Sequence, residues 1–467
     1  MAGPYPVPNA TIPYWRTELH ELDSHRSTPE LPRKQDIVII GAGFAGAALA
    51  YYLLKDQPSS EKPSITILEA REACSGATGR NGGHLRPDLF VAVAARMQAR
   101  GLAAANQVAL FEVANAKALV ALIEEENIDC DLQSVTTADT FVDAAEAAKI
   151  KKLWDVMLKL DCPTLKDVTY HGPEEAERVT GVKDAKIAFT YPAHTLWPYK
   201  LVMHLLEGVV KQGVNLHTHT QVYEVSETAD SEGYWTLATP RGTTKAKKVI
   251  FATNAYTSSL LPEYDEAIYA SRGTVCRVVP TSPPPTEVPL GSCALEMKSP
   301  DLLDSYYGLR PDGSLIVGGA RSTFYQKRDE WYRNYDDSAL IEPAVPYFDG
   351  WAARTFAGWE GTPTKVDRVW TGIMGYSADD APHIGHVPSK PGLYICAGFN
   401  GHGMPNVLLC AKGLAQMIQD GRPFSETGMP ACYETSADRL RKISQVAAAR
   451  RTSRARADIY LKHSYGS

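Results

Sequence analysis

Residues 36–55 read Asp-Ile-Val-Ile-Ile-Gly-Ala-Gly-Phe-Ala-Gly-Ala-Ala-Leu-Ala-Tyr-Tyr-Leu-Leu-Lys. Ile37 to Ile40 is an apolar, β-branched run of strand length, bounded ahead by Pro32 and charged residues and behind by Gly41. An Ala/Leu-rich helical run follows from Phe44 to about Leu54. Between them lie Gly41, Gly43 and Gly46 in G-x-G-x-x-G spacing. Gly41 permits a tight strand-to-helix turn, Gly43 lets a pyrophosphate approach the backbone, and Gly46 lets the helix pack close to the strand. The helix start at Phe44 and Ala45 offers N–H groups and a positive dipole end to the same phosphates. A second strand, Ser64 to Leu68, ends in Glu69, 23 residues after Gly46. An acid in that place binds a ribose hydroxyl. The whole pattern predicts a dinucleotide site rather than a glycine-rich turn of some other α/β protein.

Residues 69–87 read Glu-Ala-Arg-Glu-Ala-Cys-Ser-Gly-Ala-Thr-Gly-Arg-Asn-Gly-Gly-His-Leu-Arg-Pro. A nicotinamide enzyme continues with another strand and helix. Here a loop of small residues follows instead: Gly76, Ala77, Gly79, Gly82 and Gly83, with Ser75, Thr78 and Asn81 as hydrogen-bonding groups. Such a loop lets backbone lie against a flat ring. With it the chain resembles the D-amino acid oxidase-like family of FAD-dependent oxidoreductases, which includes glycine, sarcosine and γ-glutamylputrescine oxidases. The shared pattern is the fingerprint, the acid, a Gly-Ala-Ser/Thr-Gly-Arg-Asn-x-Gly loop and a C-terminal glycine loop, here Gly398-Phe399-Asn400-Gly401-His402-Gly403-Met404.

The resemblance implies a Rossmann-like FAD-binding domain interleaved with an antiparallel-sheet substrate domain, an α/β (α+β) fold. In the expected division, 1–90 holds an N-terminal arm and the opening segment of the FAD-binding domain. Residues 91–194 begin the substrate domain, 195–261 return to the FAD-binding domain, 262–365 complete the substrate domain, and 366–437 complete the FAD-binding domain. Residues 438–467 form a basic C-terminal helix or tail. Cofactor contacts are implied for Gly41, Gly43, Phe44, Ala45 and Gly46; for Glu69, Ala70 and Arg71; for Gly76, Ala77, Thr78, Arg80, Asn81, Gly82, Gly83 and His84. The strand around Val222, the segment Ala252, Thr253 and Asn254, and Gly398, Asn400, Gly401, His402, Gly403 and Met404 complete the implied set. The ending Asn254-Ala255-Tyr256 is similar to the γ-glutamylputrescine oxidase branch.

Composition agrees with a small-molecule enzyme. The 467 residues are ample for a large core, and a net charge of −6 gives no basic footprint for nucleic acid. No run of about 18 apolar residues predicts a membrane span. The first ten residues lack a basic segment followed by an apolar one, so no signal peptide is expected. None of the eight cysteines forms Cys-x-x-Cys, which suits a reducing compartment and no metal site. Cytoplasm is the expected location. The Pro-rich segment 1–34 holds Tyr14 and Trp15 and reads as an extended arm over the flavin domain, a disordered tail being the alternative. Asp88 to Asn127 and Ala144 to Leu160 read as helices, 134–142 as a strand, Gln221 to Val225 as a strand, and Val249 to Tyr256 as a buried strand. Ser305–Leu309 and Leu315–Gly319 read as a hairpin across Pro311-Asp312-Gly313-Ser314, followed by a helical insert carrying Trp331, Tyr332 and Tyr335. The tail from Asp438 is helical and basic, with Arg439, Arg441, Lys442, Arg450, Arg451, Arg454 and Arg456.

The implied chemistry is oxidation of a C–N bond of an amine or amino acid by hydride transfer to FAD, giving an imine that hydrolyses. Such a site needs a cation for a substrate carboxylate and an aromatic wall; arginine suits the first through its bidentate fork. Candidates are Arg80, Arg272 and Arg310, although for any one of them a structural ion pair is the more common role. Tyr306 and Tyr307 alternate faces, so only one points at the pocket; Tyr307 is taken with Arg310. His402, on its glycine loop, is the first candidate to adjust the ring and support reaction with oxygen, with His84 the second. Sarcosine oxidases attach flavin through a cysteine in the segment matching Thr371 to Asp380, and none is present here. The FAD is therefore expected to be non-covalent. They also use a lysine on the strand matching Leu315-Ile316-Val317, absent here, so O2 and another electron acceptor both stay open, as does oligomeric state. Two other classes remain: an NADPH-dependent flavin hydroxylase, for which no second fingerprint of that strength exists, and a flavin-fold binding protein without turnover.

Overall fold

The computed structural model describes residues 4–55, 57–58, 62–284, 287–296 and 305–452. Arg454 and Arg456 lie outside the described residues. The chain crosses repeatedly between two sheets. It begins with β1 (Lys34–Ile40), α1 (Phe44–Leu54) and β2 (Ile65–Leu68) in the first sheet. It leaves for the second through β3 (His84–Leu85), α2 (Val91–Arg100), α3 (Leu102–Glu125), β4 (Gln133–Phe141), α4 (Ala144–Lys159), β5 (Thr169–His171), α5 (Ala176–Thr180) and β6 (Ile187–Thr195). It returns by α6 (Pro198–Lys211) to β7 (Asn215–His217), β8 (Glu224–Val225), β9 (Trp235–Thr239) and β10 (Gly242–Phe251). A second excursion supplies β11 (Ile268–Pro280), β12 (Ser292–Glu296), β13 (Ser305–Leu309), β14 (Leu315–Gly319), α7 (Trp351–Thr355) and β15 (Thr364–Ser377). The chain closes with β16 (His383–His386), β17 (Leu393–Ala397), α8 (Val407–Asp420) and α9 (Ala437–Thr452).

The first sheet runs β16-β17-β10-β1-β2-β7, parallel from β17 to β7. Its central strands are buried on both faces, which is why Ile37 to Ile40 is a continuous apolar run and Ile65 to Leu68 is buried at every position, Thr66 included, rather than alternating. Helices α1, α6 and α8 pack on one side in a single apolar cluster. The second sheet runs β15-β11-β14-β13-β12-β4-β6-β3, antiparallel except where β12 meets β4. One of its faces carries Cys276, Val278, Tyr307, Leu315 and Val317 into a separate core with Trp351, Phe356 and Trp359. The other face carries Val275, Ile316 and Trp370 into the cluster of α1, α6 and α8. The two sheets thus share a core along that inner face.

The arm is bound rather than loose. Trp15 is fully buried; its indole N–H donates to the Asn81 carbonyl at 2.6 Å, and Trp197 donates to the Trp15 carbonyl at 2.7 Å. Further upstream, the Thr11 N–H donates to the Asp337 carbonyl at 2.8 Å, so the arm touches both units.

Several expectations change. Only Glu224–Val225 of the Gln221 to Val225 segment is strand, and the strand that follows α6 is Asn215–His217. The strand expected through Tyr256 stops at Phe251, because the chain turns at Asn254–Ser259 as a 3₁₀ segment. The insert with Trp331, Tyr332 and Tyr335 is built from short 3₁₀ turns rather than a long helix. β15 pairs along its length with β11, so the expected boundary at 366 falls inside a strand of the second sheet. Among the described helices, α3 alone is long and apolar enough to cross a membrane; 50% of that stretch is buried within the protein.

Candidate functional site

The turn after β1 shows which glycines packing demands. A Cβ on Gly41 would lie 2.6 Å from the Ala252 carbonyl oxygen, in a backbone with φ +112°; one on Gly46 would lie 1.9 Å from the Gly41 oxygen. Neither position admits a side chain. A Cβ on Gly43 would meet only the Thr78 hydroxyl, at 3.3 Å, and one on Gly76 would meet nothing within 4 Å. These two face open space at the start of α1, as a close-lying pyrophosphate requires. The Glu69 carboxylate is held there by the Ala42 N–H at 2.9 Å and the Arg71 N–H at 3.0 Å. Thr78 accepts from the Phe44 N–H at 3.1 Å, which ties the small-residue loop to the helix start.

That loop is braced from within and from far away. Asn81 donates to the Thr78 carbonyl and accepts from the Gly83 N–H. Gly79 is needed because a Cβ would lie 2.1 Å from the Cys74 oxygen, and Gly83 because one would strike the Trp15 ring at 2.7 Å. Arg80 is buried and fully engaged: it donates to the Ser75 carbonyl at 2.7 Å, the Thr371 carbonyl at 2.8 Å and the Thr11 hydroxyl at 3.1 Å. Arg71 forms a two-pronged pair with Asp337 at 2.8 and 3.1 Å. Asp337, whose side chain is 1% exposed, also lies 3.4 Å from Arg80. One buried carboxylate from the second excursion thus faces two loop guanidiniums.

The C-terminal loop docks on the same region. Asn254 accepts from the Gly398 N–H at 3.0 Å, and Asn400 accepts from the Ser377 N–H at 2.6 Å while donating its own N–H to the Gly375 carbonyl. A Cβ on Gly401 would approach the Met374 sulfur at 3.1 Å and the Tyr376 hydroxyl at 3.2 Å. Along the inner face of the second sheet, Tyr306 lies over Gly318 and against Gly82. His84 meets the Tyr306 ring edge-on at 5.3 Å. Tyr269 and Tyr376 stack at 6.0 Å, and half-buried Arg321 donates to the Tyr376 hydroxyl at 3.5 Å. Both glycine loops therefore converge on a patch holding Tyr306, Met374, Tyr376 and Arg321. Burial pushes the Tyr306 phenol up to about 12, so it stays protonated near neutrality.

The catalytic candidates fare differently. Tyr307 points to the opposite face, into the core with Trp351 and Phe356; Tyr306 is the tyrosine on the loop side. Arg310 pairs with Asp131 at 2.6 Å and stacks on Trp15 and Trp197 beneath the arm, because it sits beyond the end of β13. Arg80 is spent on bracing its loop against Thr11, Thr371 and Asp337. Arg272 donates to the Ala339 and Leu340 carbonyls. His84 donates Nε2–H to the Tyr307 carbonyl at 3.0 Å, and burial pushes it down to about 4, leaving it neutral at pH 7. His402 turns its Nε2 to Glu112 on α3, at 3.2 Å, instead of offering it to a ring. Burial opposes its charge, but Glu112 and Asp88 outweigh that and raise it. Val222 and Met404 are buried in apolar clusters on either side of the first sheet. Arg321, Tyr376, Met374 and Asp337 were not singled out from sequence. Among the described residues, no cluster of His, Cys, Asp or Glu is arranged to hold a metal ion.

The residues present fit FAD: an unfilled glycine cradle at Gly43 and Gly76, an anchored acid at Glu69, and a second glycine loop across from the first. Comparison with known proteins agrees. The family model described as DAO, FAD dependent oxidoreductase, matches residues 36–417. Gamma-glutamylputrescine oxidoreductase of Escherichia coli (strain K12) is 23% identical over 393 residues, 82% of this chain and 83% of that protein. The fold is shared with glycine oxidase from Geobacillus kaustophilus, TM-score 0.65 at 18% identity over 84% of this chain and 96% of that one. It is shared too with L-proline dehydrogenase from P. horikoshii, TM-score 0.61 at 18% identity over 86% and 98%.

Proposed function

Because the chain belongs to the DAO family of FAD-dependent oxidoreductases, we propose that it oxidises a C–N bond of a small amine or amino acid. Hydride leaves the carbon next to nitrogen, and the imine is hydrolysed by water. Bound FAD supplies the two-electron acceptor. One observation carries this reading: the two glycine loops converge on a patch with an arginine and two tyrosines. Arg321 suits a substrate carboxylate or other acidic end, since its guanidinium forms paired charge-assisted hydrogen bonds. Tyr376 orients Arg321, Tyr269 backs Tyr376, and protonated Tyr306 offers a donor from the other side of the patch. Relatives named for γ-glutamylputrescine, glycine and L-proline support an amine or amino-acid donor. The attachment of FAD is non-covalent in this reading, since the segment Thr371 to Asp380 offers no cysteine.

Anaerobic spectra with a panel of amines and amino acids test the class. The yellow protein should bleach with one of them and not with NADPH alone; bleaching only by NADPH would replace this reading with a hydroxylase. Admitting oxygen then sorts oxidase from dehydrogenase by how fast the colour returns. Arg321→Met should raise KM for an acidic substrate by tenfold or more, the loss of about 1.5–3 kcal/mol of charge-assisted bonding, with the flavin spectrum unchanged. An unchanged KM for every active substrate would remove Arg321 from the site.

A further inference from the structure

Glu112 is a carboxylate in the middle of an apolar helix. It is fully buried, and its oxygens accept from the Asp88 N–H at 2.8 Å, from Arg96 at 2.9 Å and from His402 Nε2 at 3.2 Å. Burying a carboxylate is costly unless it is paired and hydrogen-bonded. This one is, and its partners include the C-terminal glycine loop. One turn along α3, Asn115 is also fully buried. It donates to the Met404 carbonyl at 3.1 Å and accepts from the Leu409 N–H at 2.9 Å. Asn406 closes the segment by donating to the His402 carbonyl at 2.9 Å. The loop is therefore gripped on one side by α3 and on the other by β15.

We propose that Glu112 is a positioning residue for the flavin: by pairing with His402 as an imidazolium it clasps the loop 398–404 to α3, and it thereby makes FAD retention depend on pH. The proposal rests on the flavin site and is independent of the amine substrate. Every element around His402 contributes charge or a titratable group. Glu112 comes from α3; Asp88 precedes α2, with an oxygen 3.9 Å from Nε2; Arg96 and Arg100 come from α2. Asp380 follows β15, and Cys432 and Tyr433 follow α8, around the same small cavity of about 40 Å³. Arg96 opposes the imidazolium, while Glu112 and Asp88 favour it; Arg100 pairs with Asp379 at 3.6 Å. The balance raises His402 above its ordinary value, and the Arg96 and His402 charges hold Glu112 below its own against the cost of burial. A histidine raised in the folded state contributes fully below its unfolded value, near 6.5, and that contribution is lost as pH rises through the folded value. The clasp is thus closed on the acid side and loosens on the alkaline side.

The experiment follows FAD release from the holoenzyme, read by the gain of free-flavin fluorescence after dilution, from pH 6 to 9. Wild type should release FAD faster as pH rises through one histidine-like step. Glu112→Gln keeps the size and one acceptor oxygen but loses the charge and the second acceptor; its release at pH 6 should be faster on the order of tenfold, with the step flattened. His402→Gln leaves the Glu112–Arg96 pair in place and should show the same flattening, so it decides the matter if Glu112→Gln folds poorly. A residue that merely supports the fold would change the rate without changing its pH profile. A wild-type step that survives in both variants, or no step in wild type, would overturn the clasp while leaving the flavin assignment standing.

Discussion

In the turn Gly41–Gly46, two of three glycines are forced by atoms a few residues or one strand away, since any Cβ would overlap the Ala252 or Gly41 carbonyl. In the loop Gly398–Gly403, packing forces much less. Gly398 and Gly401 adopt φ +79° and +72°, and a Cβ on Gly403 would make only ordinary contacts. The first segment is shaped mainly by its own strand and helix, with one remote constraint, the Ala252 carbonyl just past β10, acting on Gly41. The second is shaped by partners elsewhere: Asn254 at the end of β10, Gly375 and Ser377 on β15, and Glu112 and Asn115 on α3. The small-residue loop 76–84 lies between these extremes, tied to α1 through Thr78 and to the remote Asp337 through Arg80. Two glycine segments facing one cofactor can thus be specified in different ways, one mostly within its own strand and helix and one almost wholly by the assembled tertiary structure.

Breaking the local segment should cost most. Gly46→Val places a branched side chain against the Gly41 oxygen, so helix and strand cannot close. We expect more than about 3 kcal/mol of destabilisation and colourless, largely insoluble protein; soluble yellow protein with a wild-type melting curve would contradict the assignment. Next comes the remote brace of the middle loop. Asp337→Asn leaves Arg71 and Arg80 facing each other without their shared counter-charge, worth about 3–5 kcal/mol for a broken buried pair. The melting temperature should fall, and FAD should be lost at a lower temperature than the fold; a change within error would show that the three groups do not act together. The smallest effect on stability, and the sharpest test of the comparison, is Gly43→Ala. Its Cβ meets only the Thr78 hydroxyl at 3.3 Å, so the fold should survive within about 1 kcal/mol. FAD affinity, measured by fluorescence titration, should drop tenfold or more. Unaltered affinity would mean that Gly43 does not face the pyrophosphate.

The same contrast explains what could be read in advance. Residues 36–69 encode their unit within one βαβ stretch, so strand, turn, helix and acid were legible together. The second loop was legible as backbone, because glycine and helix signals are local, but its side chains were not. His402 is set by Glu112, 290 positions earlier. A lone acid with an amide three residues on, both on the buried side of an apolar helix, was the available signal. Asp337 is 266 positions from Arg71, and no spacing rule joins them. The choice of Tyr307 with Arg310 carried its own warning, since residues three apart on an extended chain face opposite sides. Tyr306, two positions from Gly308 and paired in register with Gly318, had the parity of the glycine-bearing inner face. Arg321 and Tyr376 come from segments that only pairing of β11 with β15 and the turn after β14 bring near each other.

The repeated crossing between sheets has a consequence for the birth of the protein. β1 emerges early from the ribosome, yet its partner β10 lies some two hundred residues downstream and β17, beyond β10, later still. The Arg71 and Arg80 guanidiniums wait for Asp337, and Thr11 waits for Thr371. At a synthesis rate of about 5–20 residues per second, the cradle formed around residue 43 stays without its neighbours for roughly 20–70 s. The cradle is therefore complete only once β17 has been made, and until then the apolar strand Ile37 to Ile40 must be kept from pairing with the wrong partner.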